Sequence, residues 1–222
     1  MTRDGGAFGP LFALLEGMGR GVFHVFLPVS CPVCGALGYE LCPGCAVGLL
    51  TNGGSVLLDL GGSWLPVHHG GLHRGTLRDV IHRLKYKGLS SLGVPLGEAL
   101  GEVFGPMGRG LVPVPLHVGS RRGYNQSELI ARGISSVWGV PVADYLRWRV
   151  RVGNQVSSGD RVLPRGAMEW TGPPMDGLVL VDDVLTSGAT LRAAVEALKA
   201  GSCGTEGALV LSLAKSFGGS GV

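Results

Sequence analysis

The sequence predicts an α/β protein in which a parallel sheet flanked by helices follows a small zinc-ribbon-like module. Short apolar runs such as Leu178–Val181 and Ala208–Leu213 lack polar alternation, as expected of strands buried on both faces. Segments with helical spacing lie between such runs. Two Cys-x-x-Cys turns stand ahead of all of them.

Composition narrows the class. The chain has 222 residues, 45% hydrophobic and 16% charged, enough to bury a core without disulfides. Its 40 glycines follow no three-residue period and lie among Leu and Val, which excludes collagen and a disordered linker. A net charge of +3 tolerates a polyanionic partner without arguing for one.

The first element expected is an amphipathic helix within residues 1–28. Leu11, Leu14, Leu15, Met18, Val22, Val25 and Phe26 recur at helical spacing there. Glu16, Arg20 and His24 interrupt the stretch, so no membrane span is expected, since a span needs about 20 mostly apolar residues. No secretory signal is recognisable either, and the expected location is cytoplasmic.

Residues 29–60 read as a four-cysteine module and linker. Cys31-Pro-Val-Cys34 and Cys42-Pro-Gly-Cys45 form two knuckles that place four thiolates around one ion. Structural zinc suits a closed all-sulfur shell with no position for catalytic water. Two disulfides or an iron–sulfur cluster are the alternatives, and a cytosolic address favours zinc. Cys203 stands apart as a small buried side chain. Thr51–Gly62 is a Gly-rich connector.

Residues 61–222 form the main domain. Ser63–His68 reads as a strand; Leu77, Val80, Ile81 and Leu84 mark a helix; Leu92–Phe104 is a second helix. Leu111–Pro115 is a strand, Gln126–Val137 a helix and Tyr145–Val152 a strand. Leu178–Val181, Ala189–Lys199 and Ala208–Leu213 complete the alternation as strand, helix and strand.

The chemistry concentrates in the segment from Leu178 to Thr190. An apolar strand ends in Asp182 and Asp183, and then Thr186, Ser187, Gly188, Ala189 and Thr190 open a helix. Ligands of open α/β sheets sit beyond the carboxyl ends of strands, where this loop falls. Successive amides near a helix N-terminus cradle an anion, the hydroxyls add donors, and Gly188 permits close approach. The two carboxylates can bind a sugar diol, help hold a divalent ion, or oppose a developing positive charge. A capped helix with a solvated acidic turn is the simpler reading, but the full thirteen residues in this order disfavour it.

This segment resembles the phosphoribosyl pyrophosphate (PRPP) motif of type I phosphoribosyltransferases. Together with the four cysteines, Leu77-Arg-Asp-Val-Ile-His-Arg-Leu-Lys-Tyr-Lys-Gly88, Val112-Pro-Val-Pro-Leu-His117 and Arg122-Gly-Tyr-Asn-Gln-Ser127, it is similar to the ComF family. The resemblance runs from about residue 28 to 215. Leu163, Met168 and His73 differ from residues common at those positions in the family.

The resemblance implies a type I phosphoribosyltransferase-like sheet that binds PRPP, or another ribose 5-phosphate nucleotide, with Mg²⁺. It implies the 5′-phosphate on Thr186–Thr190 and the ribose on Asp182 and Asp183, which would also carry any pentosyl transfer. Arg121, Arg122 and Lys85 would reach the diphosphate, with Lys87 a further candidate. It also implies a role in natural competence, near single-stranded DNA, with a competence helicase or uptake channel as partner.

A second class keeps the fold and drops the reaction: a PRPP- or nucleotide-responsive module that handles single-stranded DNA. Arg121, Arg122, Tyr124 and Asn125 put cations beside an aromatic, as base stacking and phosphate contact require. Arg147, Arg149 and Arg151 alternate as a basic stripe on one strand face. A P-loop or dinucleotide enzyme is excluded, because neither glycine signature follows a strand.

Overall fold

The computed structural model describes residues 29–117, 119–120, 122–149, 163–215 and 217. The helix expected over residues 1–28, and Arg121 and Arg151, lie outside them. The chain divides into two units, Met1–Cys42 and Pro43–Val222. In the first unit, residues 29–38 make a knuckle. Cys31 N–H donates to Ala36 O at 2.9 Å, Gly35 N–H donates to Cys31 O at 2.8 Å, and Ser30 bridges Leu37.

The second unit opens with α1 (Pro43–Leu50), followed by strands β1 (Gly54–Asp59) and β2 (Trp64–His69). Helices α2 (Gly75–Tyr86) and α3 (Gly93–Phe104) precede β3 (Gly110–Pro113) and α4 (Gln126–Trp138). Then come β4 (Leu146–Trp148), β5 (Met168–Trp170), β6 (Leu178–Leu185), α5 (Ala189–Ala200) and β7 (Thr205–Leu213).

Five strands make one sheet in the order β1-β2-β7-β6-β3. All neighbours pair in parallel except β1 with β2, so the sheet is mixed where a parallel one was expected. The difference lies in β1, which forms inside the expected connector. Val56 and Leu58 alternate with exposed residues there, and a short loop after Asp59 folds the strand back on Trp64–His69. The flanking glycines mark the hairpin turn rather than a tether.

Burial on both faces explains the uninterrupted apolar runs. The first four residues of β6 are fully buried. Leu178 and Leu180 join a core with Leu191, Ala194 and Leu198 of α5, while α3 and α4 contact β7, β6 and β3. Two glycines set how closely α3 and α4 approach. A Cβ on Gly97 would lie 2.1 Å from Ile130 O, and one on Gly133 would lie 2.2 Å from Val94 O. Part of the glycine excess therefore belongs to helix packing.

The strand expected over Tyr145–Val152 is shorter. Leu146–Trp148 pairs antiparallel with Met168–Trp170 as a separate two-stranded sheet. Among the described residues, no helix is long and apolar enough to cross a membrane.

Candidate functional site

The carboxyl ends of β3 and β6 open into a cleft of about 900 Å³. Asp182, Asp183, Val184, Thr186 and Thr190 line it, facing Lys85 and Tyr86 of α2 and Arg122 of the loop before α4. The wall mixes charged and polar groups with apolar ones such as Ile81 and Val114, and open sheets bind ligands at this end.

Strand β6 runs to Leu185, so the acidic pair lies within the strand and not beyond it. Asp183 is 3% exposed, and its Oδ1 lies 2.8 Å from Lys85 Nζ. Its Oδ2 is buried with no hydrogen-bond partner among the described residues. Asp182 Oδ1 accepts from Ser127 Oγ at 3.0 Å and from the Asp183 amide at 2.8 Å. Burial and the neighbouring Asp183 carboxylate push the Asp182 carboxyl up to about 7, against the opposing pull of Lys85 and its own hydrogen bonds. Lys85 pairs with Asp183, and Asp182 beside it holds a proton readily.

A raised folded-state value has a defined consequence for stability. Asp182 contributes stability that is fully present below its unfolded value, near 3.8, and is lost as pH rises through about 7. Melting temperature is therefore expected to fall between pH 5 and pH 8 through this group. Asp182→Asn should flatten that slope in thermal scans across the same range, and an unchanged slope would refute the assignment.

The turn after β6 is shaped by Gly188. It caps α5 at φ +78°, and a Cβ there would lie 2.4 Å from Leu58 Cδ1. Thr186 and Thr190 line the cleft, whereas Ser187, Gly188 and Ala189 are not among the residues that line it. Ser187 Oγ accepts from the Ala189 amide at 3.5 Å. Arg192 braces the turn from behind, donating to Ser187 O at 2.9 Å and Asp59 O at 2.8 Å.

Helix α4 begins with Asn125, whose Oδ1 accepts from Ser127 N–H at 3.1 Å and whose Nδ2 donates to Val114 O at 3.0 Å. That cap fixes Ser127 against Asp182. Tyr124 donates its hydroxyl to Leu84 O. Tyr124 and Asn125 thus have structural partners in α2 and beside β3. The Arg122 guanidinium carbon lies 5.2 Å from the ring centroid of Tyr86. Arg121 is outside the described residues. Lys87 is exposed and caps α2.

Other expected contributors separate from the cleft. Arg147 pairs with Asp144 at 2.8 Å and Arg149 with Glu169 at 3.5 Å, so two members of the expected basic stripe are matched by acids. Residues not singled out as ligands include Ser127, Tyr86 and Gln126, which line the cleft beside the acidic pair. Gln126 Oε1 is buried with no hydrogen-bond partner among the described residues. His73 lines the cleft with Nδ1 2.8 Å from Ser212 Oγ; burial, Lys85 and Arg78 lower its tendency to protonate.

Apart from this cleft, Cys31, Cys34, Cys42 and Cys45 form the one cluster of metal-ligating groups among the described residues. Their sulfurs all lie within 4.8 Å of one another, and Cys34 and Cys42 are 3.6 Å apart. Four sulfurs at zinc–thiolate distance from one ion stand roughly 3.8 Å from each other, so the cluster could hold a metal ion with small rotamer shifts. Burial alone would raise the Cys31 thiol, but amides of Cys42, Cys34 and Val33 and the Cys34 side chain outweigh it and bring it down to about 6. Cys203 is buried near Pro173 and Gly201.

No protein-family model matches the chain, and no curated protein matches it.

Proposed function

We propose that the chain is a PRPP- and Mg²⁺-binding, phosphoribosyltransferase-like protein of the ComF type. The observation that carries this reading is the placing of an acidic pair and a Thr/Ser/Gly turn on one cleft at the carboxyl end of a central parallel strand. In this reading the 5′-phosphate rests on the turn from Thr186 to Thr190, at the positive end of α5. Asp182 and Asp183 take the ribose hydroxyls and oppose positive charge as the bond at C1 breaks. Lys85 and Arg122 face the diphosphate, with Arg121 as a further contact.

The chemistry of the donor set fits a divalent ion, because Asp183 keeps one buried oxygen without a partner among the described residues. Mg²⁺, when bound with PRPP, supplies charge neutralisation at the leaving diphosphate. Titration of the purified protein with PRPP and Mg²⁺ by calorimetry tests the reading. Heat on binding, followed by diphosphate release when bases are added, supports transfer. Heat without release supports the alternative, a nucleotide-responsive module that handles single-stranded DNA. The absence of heat overturns the reading of the chain as a PRPP-binding protein. A role in natural competence, next to a helicase or uptake channel in the cytoplasm, rests on the resemblance.

The four cysteines are read as a structural zinc site. Protein purified under reducing conditions should hold one zinc per chain by metal analysis. Cys31→Ser or Cys45→Ser should lose the metal and lower the melting temperature while folded protein keeps its affinity for PRPP. A metal-free parent chain would refute the assignment.

A further inference from the structure

Lys85 and Tyr86 are consecutive residues in the last turn of α2, yet their environments differ. Lys85 turns inward to Asp183, while Tyr86 is 62% exposed on the cleft wall. An exposed aromatic at that position packs no core. Its contacts are the His82 ring, with centroids 4.9 Å apart, and the Arg122 guanidinium on its face. Arg122 belongs to the loop before α4, which is also attached to α2 through the Tyr124 hydroxyl and Leu84 O. Arg122 Nη1 is buried and has no hydrogen-bond acceptor among the described residues. A guanidinium donor withdrawn from water without an acceptor is costly unless a ligand completes it.

We propose that Tyr86 is a positioning residue: its ring holds Arg122 over the cleft, and the unused Nη1 receives the second anionic group of the ligand. Planar stacking fixes the guanidinium fork and leaves its edge donors free, which a lysine ammonium cannot do. The ligand class that follows carries two separated anions. One sits on the turn at α5 and the other lies between Arg122 and Lys85. The inference rests on the reading of this cleft as a ribose 5-phosphate site and adds a requirement for the second charge.

Calorimetry on the full chain with Mg²⁺ separates the two ideas. PRPP carries both anions, ribose 5-phosphate only the first, and inorganic diphosphate only the second. Tyr86→Leu is expected to weaken PRPP and diphosphate by about threefold to tenfold. Ribose 5-phosphate should change by less than about twofold under the same cation–π argument. Tyr86→Phe keeps the ring face and should bind all three as the parent does. Because Tyr86 is exposed, both variants should melt near the parent temperature. Equal weakening of all three ligands by Tyr86→Leu, no weakening of any, or failure of Tyr86→Phe to preserve binding overturns the role of Tyr86 while leaving the cleft reading in place. A parent chain that binds none of the three removes both.

Discussion

Replacing Asp182 and Asp183 together by Asn should weaken PRPP binding by tenfold or more, about 1.4 kcal/mol, and reduce any turnover further. Asn keeps size and part of the hydrogen bonding but removes the shared acidic charge of the pair within β6. From the sequence the pair reads as a solvated strand end whose loss the fold tolerates. The structure corrects this, since Asp183 is buried against Lys85 and the doublet should also lower the melting temperature. Glu196→Gln on the exposed side of α5 serves as the control and should change neither property. A doublet variant that binds PRPP like the parent would place the donor site elsewhere. Calorimetry and thermal melting on the same preparations read both effects.

Lys85→Met should be the most destabilising single change in the cleft. It leaves the Asp183 carboxylate buried without its cation, a situation that costs about 3 kcal/mol. The loss should be greatest above neutral pH and shrink in acid, where an unpaired buried carboxyl takes a proton. Denaturant titrations at pH 5 and pH 8 measure it. Equal losses at both values would show that packing of the aliphatic stem, and not the ion pair, is what Lys85 contributes.

The elements legible in the sequence are those whose signal is local. Leu178–Val181 and the apolar face of Ala189–Ala200 are contiguous or periodic, and structure and pattern agree there. Strand β1 was hidden because its turns are glycines and its partner register, Leu58 with Leu65, is set only when the hairpin closes. Strand β4 reads too long in the sequence and β5 is missed, because each is three residues long and their pairing crosses a wide gap in sequence. The same distance hides half of the site. Asp182 and Asp183 announce themselves as adjacent acids, but Ser127 reaches Asp182 from 55 residues away, and no spacing rule connects them. Tyr86 carries no signal of its own in the sequence, whereas Tyr124 stands beside two arginines. Only the docking of the loop on α2 brings Arg122 onto the Tyr86 ring.

The hairpin of β1 and β2 sits at the sheet edge, a position usually regarded as dispensable. Yet Leu58 presses against Gly188, and the Asp59 carbonyl accepts from the same arginine that holds Ser187. The turn at the head of α5 is therefore moulded from behind by a strand more than a hundred residues earlier in the chain. A shortened chain starting at residue 63 would retain every loop residue that faces the cleft, and all four parallel strands, while losing the die against which the loop is cast. Any engineering that trims this protein to its parallel sheet has to carry the edge hairpin with it.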